Sequence, residues 1–548
     1  MSGAVTAPPE TLPELLDAAA RSSGRVWFSG DAGSPVSMTE LWRRSERAAA
    51  FFRGRVEPGE AAALMLDASP DCLVSLLGAW RAGIAVASLP QRARGMRTDE
   101  YTEGVRRWCE LVHAGVLAVP DHEMGSFQPL AQRVVPFSLC AGFGARRDAT
   151  EAGDFIQFSS GSGGSPKGVR LTSSAIAANI KAILAGFGDP AREMVCCSWL
   201  PLSHDMGLIG ACLTTLAGMG LPCRARELVL MPPAAFLARP ESWLRACSER
   251  AATTTWAPNF ALDMTARTLA AGRGGMLDLS ALRIAIVAAE PVRADSLRRF
   301  AAATEAAGLD PLALCPAYGL AEAAVGVTCV PPGRSWTSVK VSAEDLGRGR
   351  WTPAAGSDGM ELVSCGPPLP GMRIRTEGNP GPLSVGGPSL LSEYVGLPGC
   401  PPKGGWLTTS DLAAVREGEL YVIGRLDDVI VVAGRKLHPG ELEATASECT
   451  AVRPGNCVAV PDGAGRYVVI AEVRLGSGPA PSGLREACGW IRRRLVERHG
   501  AGPSAVEFVA PGTLPKTSSG KLQRSRLSAL YGSRRLDVRA TARFGSRR

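Results

Sequence analysis

The clearest candidate for a ligand-binding loop lies in residues 155–172, FIQFSSGSGGSPKGVRLT. An apolar run ends in serines and glycines, a lysine follows, and apolar residues then return. Glycines let backbone N–H groups approach a ligand closely, and hydroxyls with a cation beside such a turn suit a polyanion such as a phosphate chain. A flexible surface loop is the alternative interpretation of an isolated Ser/Gly run.

Two common phosphate-binding motifs do not fit this loop. Lys167 is followed by Gly168, so the loop lacks the Ser or Thr that follows the lysine of a Walker A motif and contacts magnesium. The spacing of the glycines also departs from GxGxxG. A P-loop kinase and a Rossmann oxidoreductase are therefore disfavoured.

Alternating strands and helices surround the loop and would position it. Residues 282–292, LRIAIVAAEPV, form a short β-rich run ended by Pro291, which predicts a buried parallel strand. The run DSLRRFAAATEAAG has apolar residues at helical spacing, and LALCPAYG predicts the next strand. Strand, helix and strand at this spacing make a βαβ unit. Similar alternation around residues 155–183 predicts a doubly wound α/β architecture up to about residue 340.

The pattern changes towards the C-terminus. Residues 341–425 are rich in Pro and Gly with short apolar runs, which predicts a small β-rich part built of antiparallel strands. Residues 426–531 are predicted to form a compact, mobile α+β domain, and the basic residues 532–548 a disordered tail. The expected fold class is therefore α/β, with a large N-terminal domain, residues 1–425, before the small domain.

Composition favours a globular protein with a large core. The 548 residues are 45% hydrophobic and 20% charged, and the net charge is +8. No basic patch with interleaved aromatic residues indicates nucleic-acid binding. The start lacks the features of a signal peptide, the longest apolar run is short for a membrane span, and the fifteen cysteines form no CxxC pair. We expect a cytoplasmic protein with reduced cysteines and no membrane span.

Five motifs in a fixed order resemble those of one superfamily, the AMP-forming adenylating enzymes. SSGSGGSPKGVRLT resembles its phosphate loop, PAYGLAEA its aromatic-Gly-x-x-Glu motif and WLTTSDLA its ribose-binding motif. GRLDDVIVVAG resembles its hinge and LPKTSSGKLQR its C-terminal lysine motif. Three further stretches, SWLPLSHDMGLIG, WAPNFALDM and AAEPVRADSLRRF, are similar to the fatty acyl-AMP ligases within that superfamily.

The resemblance implies ATP and Mg²⁺ as cofactors and assigns roles to individual residues. Lys521 would be the catalytic cation that bridges the substrate carboxylate and the α-phosphate, and Glu322 would be catalytic as the metal ligand for magnesium. Asp427 would be the hinge between the domains. The remaining nucleotide-binding residues would be Ser160, Gly161, Ser162, Gly163, Gly164, Ser165, Lys167, Gly168, Ala289, Glu290, Tyr318, Gly319, Asp411 and Arg425.

The resemblance also implies the substrate and the partner. The residues expected near the acyl substrate are His204, Met206, Trp256, Asn259 and Ala317. The implied reaction is ATP-dependent activation of a carboxylic acid, expected to be a fatty acid, to an acyl-adenylate with release of pyrophosphate. The acyl group would then pass to the phosphopantetheine thiol of an acyl carrier protein, in lipid, polyketide or nonribosomal peptide biosynthesis.

Two alternatives stay open at this point. The stretch GRKLHPGELE, beside the expected thiol tunnel, follows the general pattern of the superfamily, so a carboxylate–CoA ligase that forms acyl-CoA is the alternative enzyme. A non-catalytic protein of the same fold is the other alternative. The presence of Glu322, Asp411 and Lys521 together argues against it.

Overall fold

The structure is a computed structural model of the 548-residue chain. It describes residues 10–29, 34–92, 96–130, 133–141, 153–159, 167–188, 193–222, 225–354, 359–397, 404–432, 435–474, 481–516, 522–533 and 535–544.

Sheet I, the first of two large sheets, contains both strands predicted between residues 282 and 319. Its eight strands, in spatial order, are Gly326–Cys329, Leu314–Gly319, Ile284–Ala288, Thr254–Pro258, Met194–Ser198, Ala225–Leu230, Arg25–Phe28 and Val36–Ser37. The inner strands run parallel, and the two edge strands run antiparallel to their neighbours. The central strands are buried along their whole length, as expected where helices cover both faces of a parallel sheet.

Sheet II carries the strands on either side of the predicted phosphate loop. Its seven strands, in spatial order, are Glu393–Val395, Lys167–Leu171, Phe155–Ser159, Ala85–Ser88, Ala61–Leu64, Ala114–Val119 and Val134–Pro136. The last five run parallel, whereas the first two are each antiparallel to the next strand. One hydrophobic cluster contains buried side chains from both sheets, so the two sheets share a core.

Helices connect and cover the strands. The α-helices are Leu12–Ala20, Met38–Arg53, Pro70–Arg81, Thr98–Leu111, Phe137–Cys140, Ser173–Gly186, Thr214–Gly218, Pro233–Ala238, Glu241–Glu249, Asn259–Ala270, Ala294–Thr304, Ala343–Gly347, Pro439–Ser447, Pro481–His499 and Arg524–Gly532. Short 3₁₀ segments are Asp121–Leu130, Glu305–Ala307, Pro311–Ala313 and Ala321–Ala323, and Met206–Leu213 is a π-helix.

The β-rich part predicted after residue 340 is present. Sheet III consists of four antiparallel strands, Arg373–Thr376, Gly381–Gly386, Trp406–Arg416 and Glu419–Arg425. A two-stranded ladder, Ser338–Ser342 with Gly359–Val363, packs beside it. The α/β fold class and the additional antiparallel part are therefore confirmed.

The C-terminal region has its own sheet and its own core. A small ladder, Ile430–Val432 with Arg435–Leu437, precedes sheet IV, whose strands are Val452–Pro461, Tyr467–Val473, Ala505–Val509 and Val538–Arg543. One hydrophobic cluster covers each face of sheet IV, and both clusters are built only from residues from Ile430 onwards.

The prediction of a disordered tail was wrong for most of the described tail residues. Val538–Arg543 pairs antiparallel with Ala505–Val509 and completes sheet IV. In VRATAR, small apolar residues alternate with polar or charged ones. Ala540, Ala542 and the following Phe544 therefore pack against the core beneath helix Pro481–His499. The high charge of the segment concealed this two-residue period, which is the usual signal of a half-buried strand.

Two other expectations concern the whole chain. All thirteen cysteines among the described residues are free thiols, and most are buried. In the described part of the chain, no helix combines the length and the apolar character needed to cross a bilayer.

Candidate active site

The site begins where the strand Leu314–Gly319 of sheet I ends in a tight turn. Tyr318 and Gly319 close the strand, and the 3₁₀ turn Ala321–Ala323 then presents Glu322. A Cβ atom on Gly319 would lie 1.7 Å from the carbonyl oxygen of Val325, so this turn requires glycine. The carboxyl ends of parallel strands are the usual edge for ligand sites in such sheets.

Glu322 is a half-buried carboxylate held by a tyrosine from sheet II. The hydroxyl of Tyr394 donates to Oε1 of Glu322 at 3.0 Å, and the carbonyl oxygen of Glu322 accepts from the amide of Leu391 at 2.8 Å. Burial raises the pKa of Glu322, and the nearby Asp205 and Asp411 add to this effect. A charged carboxylate in such a place is stabilised when a cation binds it.

The surroundings of Glu322 fit a magnesium ion. Carboxylate oxygen is a preferred ligand of this hard cation, which is commonly bound through one or two carboxylates together with phosphates and water. Among the residues that the structure describes, no three His, Cys, Asp or Glu side chains are grouped closely enough to hold a metal ion. Glu322 is thus a candidate single-carboxylate ligand for such an ion.

Tyr318 and Asp411 meet across sheets I and III. The hydroxyl of Tyr318 donates to Oδ2 of Asp411 at 2.5 Å. Asp411 lies opposite Arg425 in the ladder of sheet III, and its amide donates to Oγ1 of Thr409 at 3.1 Å. Burial, reinforced by the Asp411 carboxylate, raises the pKa of Tyr318, so the phenol stays protonated and remains a donor.

Ala289 and Glu290 form a strained turn after the neighbouring strand Ile284–Ala288. Ala289 has φ of +73°, a conformation that non-glycine residues rarely adopt. Oε1 of Glu290 accepts a hydrogen bond from the amide of Phe260 at 2.5 Å. Such strain persists only where the surroundings enforce it, and it is typical of ligand sites.

The phosphate-loop prediction is only partly covered by the described residues. Lys167 starts a strand of sheet II, and its Nζ lies 5.6 Å from the ring centroid of Tyr394; Gly168 follows it in the ladder. Tyr394 thus contacts both Glu322 and the end of the loop segment. The predicted contacts Ser160, Gly161, Ser162, Gly163, Gly164 and Ser165, together with Lys521, lie outside the described residues.

The SHDM segment leads into a π-helix, Met206–Leu213, buried along its whole length. Nδ1 of His204 lies 2.6 Å from Oδ1 of Asp205, which also accepts from the amide of Met206 at 2.6 Å. A Cβ atom on Gly210 would lie 3.0 Å from the ring of Trp256, so the helix and the tryptophan are in close contact. π-Helical turns are rare and often occur at functional sites.

Asn259 supports the turn at Glu290 through its amide group. Its Nδ2 donates to Oγ of Ser296 at 3.1 Å, and its Oδ1 accepts from the amide of Arg293 at 2.9 Å. The side chain is buried, whereas Ala317 is half-buried. A contact of His204, Met206, Trp256, Asn259 or Ala317 with an acyl group stays a prediction.

The predicted hinge lies directly after sheet III. Asp427 and Arg425 form an exposed ion pair at 3.9 Å, and the amide of Leu426 donates to the carbonyl oxygen of Ser410 at 2.8 Å. Sheet III thus ends at the hydrogen bond of Leu426, and the chain enters the small ladder at Ile430.

Two side chains near the site were not predicted from the sequence. These are Tyr394, which contacts Glu322, and the buried Gln157, whose Nε2 donates to the carbonyl oxygen of Ser203 at 2.8 Å, whereas Asp205, which contacts His204, was expected with His204 and Met206 at the mouth of the acyl pocket. Gln157 precedes the loop segment by three residues, so this hydrogen bond joins the strand before the loop to the SHDM segment. A polar residue within the apolar run FIQFS was the available signal for Gln157.

Comparisons with known proteins agree with this geometry. Residues 15–102 and 116–395 match the AMP-binding enzyme family. The chain is similar to the long-chain-fatty-acid–AMP ligase FadD23 of Mycobacterium tuberculosis, with 29% identity over 90% of each chain. It is 32% identical to the long-chain-fatty-acid–AMP ligase FadD26 of Mycobacterium bovis over 70% of this chain and 71% of that protein.

A solved structure is similar over nearly the full length. It comes from work on fatty acyl-adenylate ligases of E. coli and L. pneumophila, with a TM-score of 0.86, 25% identity, and coverage of 96% of this chain and 98% of that one. The family match covers both large sheets. It includes Tyr318, which bonds to Asp411 of sheet III, and Glu322, which bonds to Tyr394 of sheet II. The chain therefore belongs to the AMP-binding enzyme family, and it is a ligase of that family.

Proposed function

We propose that this ligase uses ATP to convert a fatty acid into an acyl-adenylate, with release of pyrophosphate. The acid's carboxylate oxygen attacks the α-phosphorus, the bond between the α-phosphorus and the bridging oxygen breaks, and pyrophosphate leaves. A thiol then attacks the acyl carbon, AMP leaves with the bond electrons, and the thiol proton passes to solvent. The acceptor in this proposal is the phosphopantetheine thiol of an acyl carrier protein.

The observation that carries the proposal is the meeting of Tyr318, Asp411 and Glu322 at one edge of sheet I. The Asp411 carboxylate can accept hydrogen bonds from two ribose hydroxyls, and Tyr318 fixes its orientation. Glu322 lies close enough to both groups for their charges to influence one another. This arrangement suits a nucleotide whose ribose lies at Asp411 and whose phosphates, with a magnesium ion, lie towards Glu322 and Lys167.

Positive charge is the main requirement of the first half-reaction, because two anions must approach each other. Magnesium on Glu322 would neutralise part of the phosphate charge. Lys167 is available at the end of the loop segment. We assign to Lys521 the bridging of the substrate carboxylate and the α-phosphate.

The domain boundary belongs to the same proposal. We place it between residues 425 and 426, with Asp427 as the hinge; the small domain comprises the predicted residues 426–531 and, in addition, the strand Val538–Arg543 that completes sheet IV. Rotation of the backbone at Asp427 would bring Lys521 to the nucleotide for adenylation and remove it for thiol attack. The separate hydrophobic clusters from Ile430 onwards support a small domain that moves as one body.

The fatty-acid class is supported by the names of the relatives and by the apolar side chains of Met206, Trp256 and the π-helix, which lie close together. The free thiols of the described cysteines support a reducing compartment, and we place the enzyme in the cytoplasm. Coenzyme A is the second candidate acceptor, because GRKLHPGELE follows the general pattern of the superfamily.

ATP–pyrophosphate exchange tests the first half-reaction. Purified enzyme is supplied with Mg²⁺, ATP, labelled pyrophosphate and one acid at a time, from acetate to palmitate with hydroxy and amino acids included. We expect exchange that requires both magnesium and a medium or long acyl chain. No exchange with any acid would contradict the proposed function, and exchange with an amino acid alone would contradict the fatty-acid class.

The acceptor is tested separately by mass spectrometry. The best acid is offered together with ATP and either coenzyme A or a holo-carrier protein, and the acylated product is identified by its mass. We expect acylation of the carrier protein and little acyl-CoA. The opposite result would replace the carrier protein by coenzyme A and leave the adenylation step unaffected.

A further inference from the structure

Arg524 is the first residue of the last helix, Arg524–Gly532, and follows Lys521 by three residues. Its side chain points into the small domain, where 31% of its surface remains exposed. No role for it follows from the proposed contacts with the nucleotide or the acyl group. Its position nevertheless places a guanidinium group at the end of the segment that carries the proposed catalytic lysine.

The guanidinium group of Arg524 contacts two carboxylates on different elements. Its Nη2 and Nε lie 2.6 Å and 3.1 Å from Oε2 and Oε1 of Glu443, in helix Pro439–Ser447. Its Nη1 lies 3.3 Å from Oδ2 of Asp428, the residue after the proposed hinge. Arginine is suited to this geometry because its planar donors can engage several acceptor oxygens at once.

Glu443 is anchored to the rest of the small domain. Its side chain is 10% exposed, and its Oε1 also accepts a hydrogen bond from the amide of Ala459 in sheet IV at 3.0 Å. The bidentate contact with Arg524 therefore joins the last helix to the core of the domain. The contact with Asp428 extends this connection to the chain that leaves the hinge.

We propose that Arg524 is a positioning residue for Lys521. Arg524 joins Asp428, which follows the hinge, to the helix that follows Lys521. When the backbone rotates at Asp427, Asp428 and this helix therefore move together as one unit. The inference rests on the proposed function and deepens it, because it names the residue that fixes the position of Lys521 after the small domain has rotated. Arg524 itself touches neither the nucleotide nor the acyl group in this account.

Two substitutions separate positioning from simple stabilisation. Asp428→Asn removes the charge on the hinge side and leaves the bidentate contact with Glu443 in place, so the domain should stay folded. Arg524→Lys keeps a positive charge, but an ammonium group cannot maintain the same contacts with both carboxylates. Arg498→Gln is the matched control, since it breaks the ion pair of Arg498 with Glu448, which joins helices in the same domain away from the hinge.

The test measures the two half-reactions separately in the full-length chain. Adenylation is measured by ATP–pyrophosphate exchange, and thiol transfer by the reaction of added dodecanoyl-adenylate with phosphopantetheine. We expect Asp428→Asn and Arg524→Lys to lower exchange about 10- to 100-fold, because displacing a reacting group by about 1 Å has effects of this size. Thiol transfer should stay within about threefold of wild type, and Arg498→Gln should leave both reactions near wild type.

The other outcomes would overturn the inference in distinguishable ways. Equal losses in both half-reactions, with a lower unfolding temperature, would show a structural role only. A larger loss in thiol transfer than in exchange would assign Asp428 to domain rotation itself. Unchanged exchange in both variants would exclude positioning by Arg524. If wild-type enzyme gave no exchange with any acid, the proposed function would fail first, and this inference with it.

Discussion

Around Glu322, polar groups from sheets I, II and III are joined by partly buried hydrogen bonds, whereas around Asp427 the chain is exposed and the ion pair of Asp427 with Arg425 is long. Tyr318 with Asp411 and Tyr394 with Glu322 are short contacts within one large domain. Arg425 and Asp427 are 3.9 Å apart, and nearly half of each side chain is exposed. The first region is built to hold a geometry, and the second permits a change of geometry.

The polar contacts between the small and large domains are also weak. Arg526 pairs with Glu100 at 3.0 Å, and Nη2 of Arg293 donates to the carbonyl oxygen of Gly440 at 3.1 Å. Exposed ion pairs of this kind contribute little stability. In the described parts of the chain, the hydrophobic clusters on either side of the hinge have no buried member in common. These contacts are therefore compatible with the proposed movement of the small domain.

The largest effect is expected from Lys521→Ala, which removes the contribution of the small domain to adenylation. Exchange should fall at least about 100-fold, because in the proposed mechanism the lysine would stabilise charge that develops in the transition state. The unfolding temperature should stay unchanged. Lys516→Ala, in the same motif, is the control and should retain most of the activity. Undiminished pyrophosphate exchange in Lys521→Ala would show that Lys521 does not contribute to adenylation.

A pH effect on folding stability is expected from a histidine of the small domain. Burial, reinforced by Arg498, lowers the pKa of His499 to about 4 from its ordinary value of 6.5, and Nε2 lies 2.8 Å from Oγ1 of Thr445. Between pH 6.5 and 4 the unfolded chain binds a proton that the folded domain does not bind. Its stability should therefore decrease as the pH falls through this window, by up to about 3 kcal/mol at the lower end.

Hydrogen exchange of helix Pro481–His499, measured from pH 7 to pH 4, checks this effect. His499→Asn should reduce the pH dependence of the free energy of opening. His122→Asn, at an exposed histidine of the large domain, should leave it unchanged. The same pH dependence in wild type and His499→Asn would show that another group is responsible.

A smaller effect is expected from Tyr318→Phe. This variant tests whether the Tyr318 hydroxyl orients Asp411 before the nucleotide binds. The variant removes the donor to Asp411 and leaves the ring. The KM for ATP should rise about tenfold, equivalent to about 1.4 kcal/mol, with a smaller change in kcat. Tyr101→Phe is the control, because the Tyr101 hydroxyl donates to the carbonyl oxygen of Pro90, outside the site. An unchanged KM would mean that the hydroxyl does not orient Asp411 for the nucleotide.

The smallest effect is expected at the domain interface. Glu100→Gln, Arg526→Gln and the double variant form a cycle whose coupling free energy should be below about 1 kcal/mol and should fall as salt is added. The measurement is the ratio of exchange to thiol transfer in each variant. A coupling of several kcal/mol would mean that this contact holds the two domains together, so the hinge region would be as fixed as the region around Glu322.

The sequence was sufficient for the fold and for the residues whose motifs are local. The run IAIVA predicted a buried parallel strand because both faces of such a strand are covered. Tyr318, Glu322 and Asp411 followed from motifs, and the structure brings the three together. Tyr394 could not be found in this way, since its contact with Glu322 depends on the pairing of Glu393–Val395 with Lys167–Leu171, more than 200 residues earlier.

Other features depend on backbone geometry that residue types do not specify. The run that follows SHDM is mostly apolar, but nothing in its pattern distinguishes a π-helix from an α-helix. The positive φ of Ala289 is enforced by its neighbours and goes against the preference of alanine. The contacts of Arg524 were also hidden, because they join residues about 80 and 96 positions apart.

The strand Val538–Arg543 has a practical consequence for work with the protein. Removing the chain after residue 531, as its charge alone would suggest, would strip the outermost strand from sheet IV. Ala505–Val509, which is buried along its whole length, would then become a solvent-facing edge with unsatisfied backbone amides and carbonyls. Such an edge is a template for pairing with other molecules, so the shortened protein would tend to self-associate, and an affinity tag there would lie against the same edge.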